Sequence, residues 1–368
     1  MHIKTSLFTF ASLLGGLALC QAETTAPRTS AYADVMVNAA ADNSVVDYTK
    51  RPTLIGDQQY IVGSGGAKDL VNGAFSIKGG AYNWFGSMTA NTVPTGGPDM
   101  INLGLANTVF GAGVAVALGK TDVTVAGSET RTTYNMDGLG LFGNFRLSSS
   151  SDVYGKLSVT TDYKGDPTLD IYLKDDGGPT EVKNSVFGVM AGWKKDANKE
   201  GDHSLNLEGT LNIGSKKDGA TPDTGSLLDV KVVLSHGIIL KQTPGFAVFA
   251  GSTTGFRFLG ETRNKIDSTA LQIGISPNIE FQKTLAKGFE AFSGAVINVN
   301  FVSDEQGTAY SDWALMTTGA DVSVGLRWNY ENLALEGKIT DAILFDGPDL
   351  IGGTAPGLFG EVGLAVGF

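Results

Sequence analysis

The chain has 368 residues, with 50 glycines, 11 prolines, a single cysteine, 42% apolar residues and a formal net charge of -11. An acidic balance of this size argues against nucleic-acid binding. No uninterrupted apolar run after residue 22 approaches the length of a membrane helix, which excludes a helical membrane protein. A glycine-rich, fairly apolar chain broken by polar stretches is expected to be all-β, with the transmembrane barrel among the candidates.

Residues 1–22 read as a signal peptide. Lys4 supplies the positive region, residues 7–19 are apolar apart from Thr9 and Ser12, and Cys20-Gln21-Ala22 forms a cleavage site before Glu23. Cleavage there removes Lys4, taking the charge from -11 to -12, and leaves no cysteine, which excludes disulfides and thiolate sites. The rival is lipid attachment at Cys20, against which Leu19 stands where such sites want a small residue.

Residues 23–50 are irregular, with a strand hint only over 32–37, and suit either a periplasmic extension or a plug inside a barrel. From Pro52 to the end (assigned as a barrel over 51–368) the chain alternates with period two. Leu205, Leu207, Leu211 and Ile213 share one face. So do Leu271, Ile273, Ile275, Ile279 and Phe281, and again Met316, Val322, Val324, Leu326, Trp328 and Tyr330. Successive strand side chains point to opposite sides, so each segment has one greasy face and one small or polar face. The segments run ten or more residues, the length that crosses a bilayer at a barrel's tilt.

Short connections are expected at 78–80, 106–108, 148–151, 195–201, 242–245, 282–288 and 330–332. Longer ones are expected at 89–99, 119–133, 162–183, 215–226, 260–267, 302–311 and 345–356. Turns at one end and loops at the other suit a bacterial barrel. The count gives about 14 strands, with 16 if 53–62 is a strand and 12 as the lower bound. Trp193, Phe281, Phe289, Trp328, Tyr330 and Phe368 are expected near the short-turn end, and Trp84, Phe258, Phe301 and Trp313 near the long-loop end, as two aromatic girdles.

The inward register carries both signs of charge: Lys156, Lys194, Glu208, Asp229, Lys231, Arg257, Glu280, Glu290, Asp321, Arg327, Glu336, Lys338 and Glu361. Such residues either shape the field felt by a solute or pair across strands. A row of small inward residues, Gly111, Gly113, Ala115 and Ala117, leaves room for a solute or for a plug. No catalytic centre is expected, since His236 is a lone histidine in the outward register and His203 lies at a turn beside Asp202. Gly65-Gly66 falls at a turn and lacks a following Lys-Ser or Lys-Thr. The acidic stretch 162–183 has no calcium-loop spacing and reads as a solvated loop. No cofactor or metal is implied.

The chain stops on residues 357–368, where Leu358, Val362, Leu364, Val366 and Phe368 alternate with Glu361, Gly363, Ala365 and Gly367 and no polar tail follows. This terminal strand ending in Phe368 resembles that of the outer-membrane β-barrel proteins of Gram-negative bacteria. The resemblance implies a single antiparallel up-and-down barrel with short periplasmic turns, Phe368 on the periplasmic side, and a last strand read by the barrel assembly machinery. The partners implied are outer-membrane lipid and small solutes, with a homo-oligomer left open. The leading expectation is a porin-like channel for passive diffusion. Its alternatives are a transporter of hydrophobic molecules with an N-terminal plug, in which Phe249, Phe292 and Phe359 would line the path, and a structural or adhesive barrel with a blocked lumen.

Overall fold

In the computed structural model the described residues are 26–29, 36–41, 45–56, 58–66, 70–91, 99–125, 129–160, 182–218, 224–263, 266–306, 309–310, 314–342 and 361–368. Seventeen strands form one sheet, of which one is the two-residue Ala309–Tyr310 laid against the end of its neighbour. The other sixteen close a barrel: β1 Tyr60–Gly66, β2 Leu70–Gly79, β3 Tyr82–Asn91, β4 Asp99–Ala106, β5 Phe110–Val125, β6 Glu129–Ser148, β7 Ser151–Thr160, β8 Val182–Lys195, β9 His203–Asp218, β10 Thr224–Thr243, β11 Phe246–Arg263, β12 Ile266–Ala286, β13 Phe289–Gln306, β14 Ala314–Tyr330, β15 Leu333–Ala342 and β16 Glu361–Gly367. Every neighbour is antiparallel and sequential, and β16 completes the circle by pairing with β1 from Tyr60↔Gly367 to Gly66↔Glu361. The strand count lies within the expected range, at its upper limit.

The alternation read from sequence fixes which face is which. Leu141, Leu157, Ile213, Leu326 and Leu364 stand exposed on the outer wall, while Asp229, Arg257, Glu280, Arg327 and Glu336 are buried on the inner one. Apolar side chains outside and charges inside invert the layout of a soluble protein. Such a surface is stable only against hydrocarbon. Phe289, Trp328 and Tyr330 form part of an aromatic belt at the short-turn end, with ring centroids 6.4 and 6.0 Å apart.

Several boundaries differ from expectation, and each has a physical reason. Most of the loop expected at 119–133 is strand instead, because β5 and β6 stay paired as far as Val125↔Glu129. Likewise β11 and β12 pair as far as Arg263↔Ile266. A strand of 20 residues tilted at about 40° rises roughly 50 Å, twice the apolar band of about 25 Å, so these hairpins continue as ribbons beyond the membrane. Polar side chains there made the paired strands read as loops. The extra strand expected at 53–62 is instead a 3-10 turn over Pro52–Ile55 followed by β1 from Tyr60. The barrel therefore begins at Tyr60, not at residue 51. Gly65 and Gly66 lie within β1, paired with Val362 and Glu361, not in a turn. Trp84 lies near the short-turn end, just past the turn that joins β2 to β3, not near the loops. Trp313 and the acidic stretch 162–181 lie outside the described residues.

Candidate functional site: the lumen and its N-terminal plug

The lumen is not empty. The described parts of residues 26–56 lie inside the barrel, in its short-turn half, and three features of the sequence hold them there.

Apolar packing comes first. Ala26, Tyr48 and Ile55 of the N-terminal segment form one cluster with Tyr60, Phe85, Phe142, Ala334 and Ala365 of the wall. Met36 and Ala40 form a second with Ile239, Ala247, Phe249 and Phe292. Phe249 and Phe292, expected as lining for a greasy path, are therefore covered by the segment; Phe359 lies outside the described residues.

The second feature is the row of small inward residues. A Cβ at Gly111 would collide with the Pro52 ring, one at Gly363 with Thr29, and one at Gly237 with Asn38 and Ala40. Smallness at these positions makes room for the plug backbone, while Gly113 receives the ring of Phe142.

Charge is the third. Arg51 is 1% exposed and donates to Asp152 Oδ2 at 3.2 Å from Nε and 2.8 Å from Nη2, and it also pairs with Asp196. Burial opposes the charged guanidinium, but the Asp196 and Asp152 carboxylates outweigh that cost and hold its pKa above the ordinary value for arginine. Asp152 also accepts from Thr53 Oγ1 at 3.1 Å, and Asn144 Oδ1 accepts from the Thr53 backbone N–H at 3.0 Å. Lys194 faces Asp47 at 3.8 Å. On the opposite wall Arg327 donates to the carbonyls of Ala26 and Pro27 at 2.5 and 3.2 Å and pairs with Glu336. Glu336 in turn accepts from the Thr29 backbone N–H at 2.8 Å.

The expected lumen residues fall into three groups. Glu208, Glu280, Glu290, Arg327 and Glu336 grip the plug: Lys50 reaches Glu208 at 2.7 Å, Arg28 reaches Glu290 at 2.9 Å, and the Asn38 backbone N–H donates to Glu280 at 2.6 Å. Asp229 with Arg257, and Lys338 with Glu361, pair across neighbouring strands at 2.8 and 3.3 Å. Lys156, Lys231 and Asp321 have no ion-pair partner among the described residues, and Asp321 accepts only a long contact of 3.4 Å from Asn298. The ion pair that matters most for the plug, Arg51 with Asp152, was missed, although Asp152 shares the inward register of Lys156 and that parity pointed to it. Sequence also treated His236 as isolated. In the fold His203 Nδ1 and His236 Nε2 lie 2.8 Å apart on the outer wall.

A closed sixteen-stranded wall, apolar outside and charged inside, defines a β-barrel of the outer-membrane type. No protein-family model and no curated protein matches the chain. Among solved structures it is similar to a bacterial polysaccharide outer membrane secretin, at 10% identity and TM-score 0.45, covering 84% of this chain and 98% of that one. It is also similar to OmpT, an outer membrane protein of Vibrio cholerae in trimer form, at 12% identity and TM-score 0.36, covering 84% and 97%. A further likeness is to BamA from Haemophilus ducreyi lacking POTRA domains 1–3, at 10% identity and TM-score 0.42, covering 84% and 69%.

Proposed function

We propose that this protein is an outer-membrane channel for small polar solutes whose short-turn mouth is closed by its own N-terminal segment. A barrel of sixteen strands is wide enough to enclose an aqueous path. Beyond the plug, toward the long-loop end, its inner wall presents Lys156, Lys231, Asn212, Ser276, Asn298, Asp321 and the Asp229–Arg257 pair, a hydrated surface suited to polar molecules. The observation that carries this reading is the buried grip on the described parts of residues 26–53, because Asp152, Glu280, Arg327 and Glu336 face inward and meet Arg51, Asn38, Ala26 and Thr29 of the plug. Passage then requires the plug to shift. Phe249 and Phe292, two of the aromatics that would favour an apolar cargo, are already covered by Met36 and Ala40. In this reading residues 1–22 direct export, the strand ending at Phe368 is presented to the assembly machinery, and the turns face the periplasm of a Gram-negative cell.

The test is planar-bilayer conductance of the refolded protein beside a variant lacking residues 26–56. The variant is expected to conduct steadily and the intact chain to stay closed or to open in brief steps. Silence from both, with heat-modifiable folding preserved, would remove the channel reading.

A further inference from the structure

The outer wall carries one pair of groups that the channel does not use. His203 opens β9 and His236 sits within β10, and both belong to the outward register. In the pairing of these strands His203 is opposite Ile238 and His236 is opposite Leu205, so the two histidines are diagonal neighbours. The rings meet edge to edge, tilted by 25° with centroids 5.1 Å apart, and Nδ1 of His203 faces Nε2 of His236 at 2.8 Å.

We propose that His203 and His236 form a cross-strand chelate for a divalent transition-metal ion of the zinc, copper or nickel type. Imidazole nitrogens bind such ions at about 2.0–2.1 Å, so two of them at right-angled to tetrahedral positions stand about 2.9–3.4 Å apart. The observed separation of 2.8 Å lies at the short edge of that range, and because the two nitrogens face each other in line, each ring must turn by about 35–45° to aim its lone pair at a shared ion. Imidazole suits these ions, whereas magnesium and calcium take oxygen ligands. Without metal, one ring donates an N–H to the other. On binding, that proton moves to the same ring's second nitrogen, both facing lone pairs become available, and a neutral pair releases no net proton. Among the described residues no group of three or more His, Cys, Asp or Glu gathers here, so water completes the coordination shell. His203 is exposed at the end of its strand, beside the turn, which leaves a route for the hydrated ion. The bound ion ties β9 to β10 at the short-turn end of the wall, independently of whether the lumen conducts.

The chain makes the test clean. It has three histidines, and the third is His2 within the leader, so mature untagged protein contains only this pair. Copper(II) added to that protein in detergent, followed by electron paramagnetic resonance, is expected to show one equivalent bound with hyperfine structure from two nitrogens. His203→Ala and His236→Ala should each lose the two-nitrogen signal and bind at least tenfold more weakly, while heat-modifiable migration shows that both variants fold. Zinc chloride should raise the unfolding temperature of the parent and of neither variant. Equal copper binding by parent and single variants, or no two-nitrogen species in the parent, would overturn the assignment and leave a hydrogen-bonded histidine pair only.

Discussion

Arg51 and Asp152 are 101 residues apart in sequence and meet at 2.8 Å, the guanidinium carried in by the plug and the carboxylate projecting from the inner face of β7. Both are 1% exposed. Removing one member of such a pair strands the other, at a typical cost of about 3–5 kcal/mol. Arg51→Met is therefore expected to loosen the plug, because Asp152 and Asp196 would both lose the guanidinium they share. Single-channel recording should show a larger open fraction than in the parent. Arg51→Lys should give an intermediate effect, since an ammonium offers no planar fork to hold two carboxylates. An unchanged trace for Arg51→Met would mean that this ion pair does not hold the mouth shut.

Gly363 offers a way to displace the plug from the wall side. Three atoms of Thr29 lie where a Cβ would stand, and no barrel atom ranks among the nearest three. Gly363→Val is thus expected to push Thr29 off Glu336 while leaving strand pairing intact. The chain lacks cysteine after Cys20, so Ala26→Cys provides a unique label site that is 6% exposed in the parent. Maleimide should react with it faster when Gly363→Val is present. Equal rates would show that the segment yields without leaving the lumen.

Alternation made the barrel legible in the sequence, because a membrane on one side and water on the other impose opposite demands on adjacent residues. Leu205, Leu207, Leu211 and Ile213 announced β9, and the charged inward register was read from the same parity. What stayed hidden depended on contacts between segments far apart in sequence. The plug has no periodicity of its own, because its short helix, Val45–Lys50, and the 3-10 turn after it are shaped by the cavity they fill. Inward smallness at Gly111 and Gly363 was visible, but choosing between solute and plug required knowing that Pro52 and Thr29 lie against them. The histidine pair escaped for the same reason, since diagonal partners follow only from the β9–β10 register.

The two faces should respond oppositely to charge. Leu326 is 52% exposed on the outer wall, between Val324 and Trp328. Four residues from the end of β14 at Tyr330, it lies about 10 Å above the turns for a tilt near 40°, close to the middle of an apolar band about 25 Å tall. Leu326→Arg is expected to destabilise the barrel by about 2–4 kcal/mol in urea titrations from lipid vesicles. Lys231→Gln on the inner wall, where no ion pair is lost, should stay within about 0.5 kcal/mol of the parent. Equal costs for the two would contradict the assignment of faces.

Glu336 allows the plug's contribution to burial to be measured. Its side chain is fully enclosed, it neutralises Arg327, and it accepts from both the N–H and the hydroxyl of Thr29, at 2.8 and 2.5 Å. With the plug in place, Glu336→Gln leaves the Arg327 guanidinium in a dry site and is expected to cost about 3–5 kcal/mol. Without residues 26–56 water reaches the same arginine, and the substitution should fall to about 1 kcal/mol or less, the range of solvated pairs. Urea unfolding of the intact and truncated proteins, each with and without the Glu336→Gln substitution, gives the coupling directly as the difference of the two differences. A coupling of about 2 kcal/mol or more would mean that residues 26–56 seal this part of the lumen from water. A coupling near zero would mean that Arg327 and Glu336 are hydrated beside a loosely seated plug, and the closed-mouth reading would fall with it.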